Sequence, residues 1–182
     1  APSAQRNLPR MTTMYAEKQI AKHTSQLLAY HSLAISHFAA TEHYLFCALC
    51  RLITHPSDEI DAALFASLHG ASVRPLLQHV SSMTRARLGE ASYSEVANAC
   101  KKLEKAFGRR NWLAHGVLVA PERPKTLRFQ SFKRKTDGKP VEPQSFSIDD
   151  LRQIIDSLQA RTQEIEAVFK ENGVAPLKSR SE

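Results

Sequence analysis

Cysteine is scarce in this chain, and the three present, Cys47, Cys50 and Cys100, make an odd number. An odd count is poor material for a disulfide framework, so a reducing compartment, the cytoplasm, is the expectation. Long apolar runs are missing as well. None approaches the roughly 20 residues a helix needs to cross a bilayer, and no membrane partner is expected. The opening residues, Ala1 to Arg10, lack the extended apolar core of a secretion signal. No glycine-rich phosphate loop, Walker lysine or paired carboxylates of metal-hydrolase type occur, which weighs against an enzyme of small phosphorylated substrates. A helix-turn-helix reader of DNA lacks support, because no short turn joins a basic recognition helix to a partner helix. Internal repeats and low-complexity tracts are absent too.

What is present fits one domain. At 182 residues, 42% hydrophobic and 24% charged, the chain can hide roughly two thirds of its unfolded surface without help from a metal or disulfide. The formal charge is +7, and its placement says more than its size. Between Lys101 and Lys139 stand twelve Lys or Arg against three acids, Glu104, Glu122 and Asp137, a net of +9, which leaves −2 for the rest. That concentration suits a polyanion such as RNA or DNA. A solvated basic face accounts for the composition equally.

The periodicity predicts a mainly α-helical bundle with a small β-hairpin before its last helix. Residues 1–13 read as a flexible leader, 14–173 as the folded domain and 174–182 as a tail. Leu27, Leu28, His31, Leu33, Ile35, Phe38, Leu45, Phe46, Leu49 and Ile53 recur near spacings of three and four, giving a helix from about Thr24 to Ile53. The stretch Met14 to Ile20 either extends it or forms a separate helix, and Pro56 ends it. Ser57 or Asp58 caps a short helix through His69. Ser72 caps the next, with Pro75 in its first turn and Gly89 near its end. Ser92-Tyr93-Ser94-Glu95 has the form of a capping box. The helix it opens carries the stripe Val96, Ala99, Leu103, Ala106, Phe107, Arg110, Leu113, Ala114 and Val117. A hairpin is expected over about 126–146, with Leu127 and Phe129 alternating against polar neighbours, a turn at Asp137-Gly138 and a return from Val141 to Phe146. Ser147-Ile148-Asp149-Asp150 then caps a final helix on Leu151, Ile154, Ile155, Leu158, Ile165 and Val168, closed by Asn172-Gly173.

The residues with chemical capacity lie in Arg110-Asn111-Trp112-Leu113-Ala114-His115. Asn111 and His115 are four apart, one turn above each other on one face. Arg110 stands five before His115, about 140° round the helix, with a side chain long enough to reach back. An arginine in an apolar stripe is costly unless it pairs or lines a cleft, and an anion is a suitable partner. RNA cleavage would use this set. The 2′-hydroxyl loses a proton as it attacks the adjacent phosphate, and the leaving 5′-oxygen gains one. An imidazole exchanges protons both ways near neutrality. The guanidinium holds the phosphate oxygens, and Asn111 orients the ring or donates to the phosphate. No metal or other cofactor is called for, and DNA lacks the attacking hydroxyl. One Arg and one His are sparse for both acid and base, so a two-fold homodimer through the motif-helix face is expected.

Arg110-Asn111-x-x-x-His115, followed by Gly116 and carried on a helix, resembles the signature of the HEPN superfamily of small helical-bundle domains. The likeness spans roughly residues 14–171, although only the motif is specific. It implies a metal-independent RNase that leaves 2′,3′-cyclic phosphate and 5′-hydroxyl ends, in toxin–antitoxin, abortive-infection or RNA-processing settings. Arg110 and His115 are then catalytic and Asn111 supports them, while Arg109 contacts a flanking phosphate. A nucleotidyltransferase-type antitoxin is the implied protein partner. The same superfamily includes members that only bind or assemble, so a non-catalytic module is the alternative.

Other features have plainer readings. RNA contacts are assigned to Lys105, Arg109, Trp112, Arg128, Lys133 and Arg134, with Phe129 or Phe132 either stacking bases or anchoring the hairpin. Trp112 suits half-buried packing or a subunit contact at least as well. Cys47 and Cys50 sit within an apolar helix as small buried hydrophobes and not as half a zinc site. His31, His37 and His43 rotate around the helix instead of aligning, which disfavours metal ligation, although His43 beside Glu42 could line the cleft with His115.

Overall fold

The computed structural model describes residues 8–54, 72–120, 125–131 and 141–174, with side chains from residue 21 onward. Among these stand four helices and three strands: α1 (Leu8–Ile53), α2 (Val73–Leu88), α3 (Glu90–His115), β1 (Val117–Val119), β2 (Thr126–Gln130), β3 (Gln144–Ser147) and α4 (Ile148–Glu171). The architecture is the expected mainly helical bundle with a small antiparallel sheet before the last helix; the described helices number four, and β1 adds a third strand to the expected hairpin.

The helices form a ring in which α1 packs on α2 and α4, and α3 packs on the same two from the other side. On α1 the core residues Leu27, Ala34, Phe38, Leu45, Ala48, Leu49 and Leu52 keep the helical period. Across the ring, Phe38 meets Phe107 of α3 with ring centroids 5.1 Å apart. The first helix is already formed at Leu8 and takes in the stretch from Met14 to Ile20 without a break. Leu28 and Leu33, placed by periodicity on its apolar face, are 44% and 45% exposed. The helix expected between Ser57 and His69 lies outside the described residues, as does the Asp137-Gly138 turn.

Two boundaries differ from expectation. The third helix does not open at the capping box of Ser92 to Glu95. Gly89 alone joins α2 to α3, at φ +89°, a conformation that L side chains rarely adopt. The helix is therefore under way from Glu90, and Ser92 instead accepts a hydrogen bond from Asn172 at 3.3 Å. Ser72 occupies the N-cap of α2 with extended backbone, but its side chain makes no capping bond. The second difference lies at the other end of α3, where the apolar stripe stops at Leu113. Ala114 is exposed, and Val117 begins a strand where the periodicity predicts more helix.

The three strands pair antiparallel in the order β1-β2-β3. Val117 faces Gln130, and Leu127 faces Phe146. Leu127, Phe129 and Phe146 are buried, and burying each such side chain contributes roughly 2 kcal/mol to fixing the sheet on the bundle. The start of α4 is as expected. Ser147 Oγ accepts the Asp150 N–H at 3.1 Å and an Asp150 carboxylate oxygen accepts the Ser147 N–H at 2.9 Å. Asn172 closes the helix, with Gly173 in the left-handed region at φ +73°.

Candidate functional site

The motif occupies the last turn and a half of α3, and contacts from α1 and β2 hold it there. Helix ends leave carbonyls without intrahelical partners. One of these, Leu113 C=O, accepts a hydrogen bond from His31 Nε2 of α1 at 2.8 Å. The His31 ring in turn stacks on Phe129 of β2, centroids 5.4 Å apart at 24°. Immediately after the motif the chain turns out at Gly116. Its backbone, at φ −74° and ψ 146°, suits any residue, yet a Cβ there would lie 2.5 Å from the Trp112 carbonyl and 2.8 Å from Phe129 Cβ. The glycine is required by close approach and not by its dihedrals.

Arg110 resolves its costly position within the chain. One terminal nitrogen, Nη2, lies 3.5 Å from a carboxylate oxygen of Glu42 on α1, and each side chain is about one third exposed (33% and 30%). Sequence reading marks Glu42 only as a neighbour of His43. A sharper signal exists in its spacing: it falls four residues after the buried Phe38 and three before the buried Leu45, so an acid enters the apolar stripe and needs a partner. His43 itself is exposed, with its Nε2 3.5 Å from Cys47 Sγ.

His115 is the final residue of α3 and is exposed, as is Asn111 one turn earlier. Trp112 is half-buried and packs against the core. The fold therefore brings Asn111 and His115 to one exposed face, while Arg110 turns toward α1. The exposed apolar residues Val117 and Leu118, 41% and 52% accessible, follow His115 and Gly116 on the edge strand β1.

The residues assigned to RNA contact separate into groups. Lys105 and Arg109 line a cleft between α3 and α4, and round the helix axis they stand about 80° and about 120° from His115. Arg128 lies on β2 between the inward-facing Leu127 and Phe129, hence on the opposite face of the sheet. Lys133 and Arg134 lie outside the described residues. Of the two aromatics considered for base stacking, Phe129 is 4% exposed and anchors the sheet against His31 and Phe146, whereas Phe132 is not among the described residues. A face buried in that way cannot stack a base.

Cys50 and Cys100 are buried and Cys47 is half-buried, all as free thiols. Burial pushes the Cys47 thiol up and Cys100 to about 11, which suits inert packing groups and not nucleophiles. Among the described residues, no three His, Cys, Asp or Glu gather as metal ligands. Nor is any described helix long and apolar enough to cross a membrane. No protein-family model, no curated protein and no solved structure matches this chain.

Proposed function

We propose that the protein is a metal-independent endoribonuclease of HEPN type, acting as a two-fold dimer through the exposed end of α3. The observation that carries this reading is that one helix end presents an exposed imidazole and, on a face about 140° away, a part-exposed guanidinium. His115 is open to solvent, and Arg110 is a third exposed beside Glu42.

In this reading one His115 takes the proton from the RNA 2′-hydroxyl as that oxygen attacks phosphorus, closing a 2′,3′-cyclic phosphate. The ring of the second copy gives a proton to the departing 5′-oxygen. Arg110 leaves Glu42 for the non-bridging oxygens and offsets the charge that builds on them. Asn111 orients the neighbouring ring or donates to the phosphate. Two copies are needed because Arg110 and His115 rise about 140° apart on one helix. The edge of β1 next to His115, with Val117 and Leu118 exposed, supplies apolar surface suited to a second copy. A role as a toxin or defence component, restrained by a nucleotidyltransferase-type partner, extends the same proposal.

One observation favours a second reading, a non-catalytic binding or assembly module. The Arg110–Glu42 pair gives the arginine a structural purpose without any substrate. The two readings part in one assay, with wild-type, Arg110→Ala and His115→Ala proteins incubated with labelled RNA in excess EDTA. Nuclease action gives cyclic-phosphate ends from the wild type alone, with a loss of about 10²-fold or more on removing the histidine. RNA bound equally by all three proteins and left intact would establish the second reading.

A further inference from the structure

We propose that the cleft between α3 and α4 is a seat for consecutive phosphate groups, built from both helices and separate from the motif face. Its volume is about 400 Å³, and its walls include Lys102, Lys105 and Arg109 from α3 with Gln153, Ser157 and Arg161 from α4. Four lining residues are cations and none is an acid.

The arrangement is unfavourable for the empty protein. Lys102 and Lys105 stand at i,i+3, Lys105 and Arg109 at i,i+4, and like charges at those spacings repel. Arg161 adds a fourth positive charge from the facing helix. The fold offsets the two arginines in part and leaves the two lysines. Arg161 pairs with Glu164, and Asp150, which feels the charge of Arg109, is already engaged with Ser147. The ion pairs formed among the described residues involve neither Lys102 nor Lys105. A ligand bringing several negative charges close together relieves all of these repulsions at once.

The geometry favours phosphates as those charges. From Lys102 to Arg109 the helix rises about 10 Å, long enough for consecutive phosphates to meet different cations. Arginine clamps phosphate oxygens in pairs, lysine supplies point charge, and the Gln153 amide and Ser157 hydroxyl donate to the remaining lone pairs. On α3, Asn111 and His115 lie about 160° and about 120° round the axis from Arg109, and His115 lies about 80° from Lys105. Binding at the seat is read without cleavage, so its failure is distinguishable from failure of the nuclease reading. Two sources carry this chemistry, the backbone of an RNA strand and the phosphate chain of a free nucleoside triphosphate.

The test measures binding of a fluorescent ten-nucleotide RNA to the full chain across a salt series, with ATP and tripolyphosphate as competitors. Lys105→Gln combined with Arg161→Gln should weaken RNA binding at least tenfold. The log–log salt slope should become shallower by about 1.4, since each cation that no longer neutralises a phosphate takes away about 0.7. Ser157→Asp adds an acid to the cleft without removing a cation, and should produce a comparable loss of affinity. Arg74→Gln removes a positive charge of α2 outside the cleft, where Arg74 pairs with Glu104 of α3, and should leave affinity within twofold. Displacement of RNA by micromolar ATP or tripolyphosphate assigns the seat to free nucleotides, and displacement by RNA alone assigns it to the backbone. Unchanged binding in the cleft variants overturns the proposal. So does an equal loss from Arg74→Gln, or displacement by polyglutamate as effective as by RNA.

Discussion

Arg110 on α3 and Glu42 on α1 approach within 3.5 Å, each with about two thirds of its side chain covered. The motif arginine is thus paired within its own chain before any ligand arrives. A phosphate bound by Arg110 must displace or share that carboxylate, so Glu42 sets the balance between holding the helices together and holding substrate.

Replacing Glu42 by Gln keeps the shape and removes the charge. Ion pairs this exposed are worth up to about 1 kcal/mol, so the variant should lose no more stability than that in a urea titration. The freed guanidinium should bind a labelled oligoribonucleotide up to about fivefold more tightly at low salt, the same energy read as affinity. RNA affinity that does not move would mean Arg110 serves the fold and not a phosphate.

His31 ties three elements together at one ring. Its Nε2 donates to the Leu113 carbonyl at the end of α3, and its face lies on Phe129 of β2. His31→Ala should therefore cost about 2 kcal/mol, roughly 1 from the hydrogen bond and 1 from the stacked contact. His31→Phe keeps the stack without the donor and should recover about half of that loss. Chemical denaturation of the three proteins side by side gives the comparison. Equal stability of the alanine and phenylalanine variants would show that the ring face contributes nothing.

The parts legible in the sequence are those fixed by local chemistry. Ser147 and Asp150 are three residues apart and cap each other wherever the chain turns into a helix, so their pattern is readable without tertiary information. The inward-facing Leu127 and Phe129 are readable because period-two alternation survives a short strand, whereas the register that sets Leu127 against Phe146 is not. Local pattern misleads where a single residue outweighs it. Gly89 alone turns the chain between α2 and α3, so a plausible capping box at Ser92 falls inside a helix already formed. Val117 continues the helical stripe by spacing, but Gly116 ends the helix and sends Val117 into β1. The partners of the site are hidden for a different reason. Glu42, His31 and Arg161 lie 68, 82 and 52 positions from Arg110, Leu113 and Arg109, and only packing brings such distant residues together.

Gly116 is the clearest single-atom test of how the motif is held. The added methyl of Gly116→Ala would sit 2.5 Å from the Trp112 carbonyl and 2.8 Å from Phe129 Cβ. One of those contacts belongs to the backbone of α3 and the other to the first side-chain atom of a buried ring, so neither can swing aside. Overpacking of this kind costs about 1–3 kcal/mol. The variant should unfold at lower denaturant, and the Trp112 fluorescence should change in the folded baseline because the last turn of α3 must shift. A folded baseline and midpoint identical to the parent would show that the close approach is relieved elsewhere at no cost.

The cap of α4 makes stability depend on acid in a direction that can be derived. The hydrogen bond from the Ser147 side chain, with smaller help from the Ser147 backbone and Arg109 and against a desolvation penalty, holds the Asp150 carboxyl below its usual range. A carboxylate depressed in the folded state contributes stability that is fully present above its unfolded value, near about 4, and is lost as pH falls through the lower folded value. Ser147→Ala removes the dominant partner and the cap acceptor together, and should cost about 1 kcal/mol at neutral pH. The Asp150 part of that difference should shrink below about pH 4, because protonation breaks the same interaction in the parent. Urea midpoints of parent and variant should therefore converge as the pH is lowered from about 7 to about 3. Midpoints separated by a constant amount across that range would mean the serine acts only as an acceptor for the Asp150 N–H, with the carboxylate uninvolved.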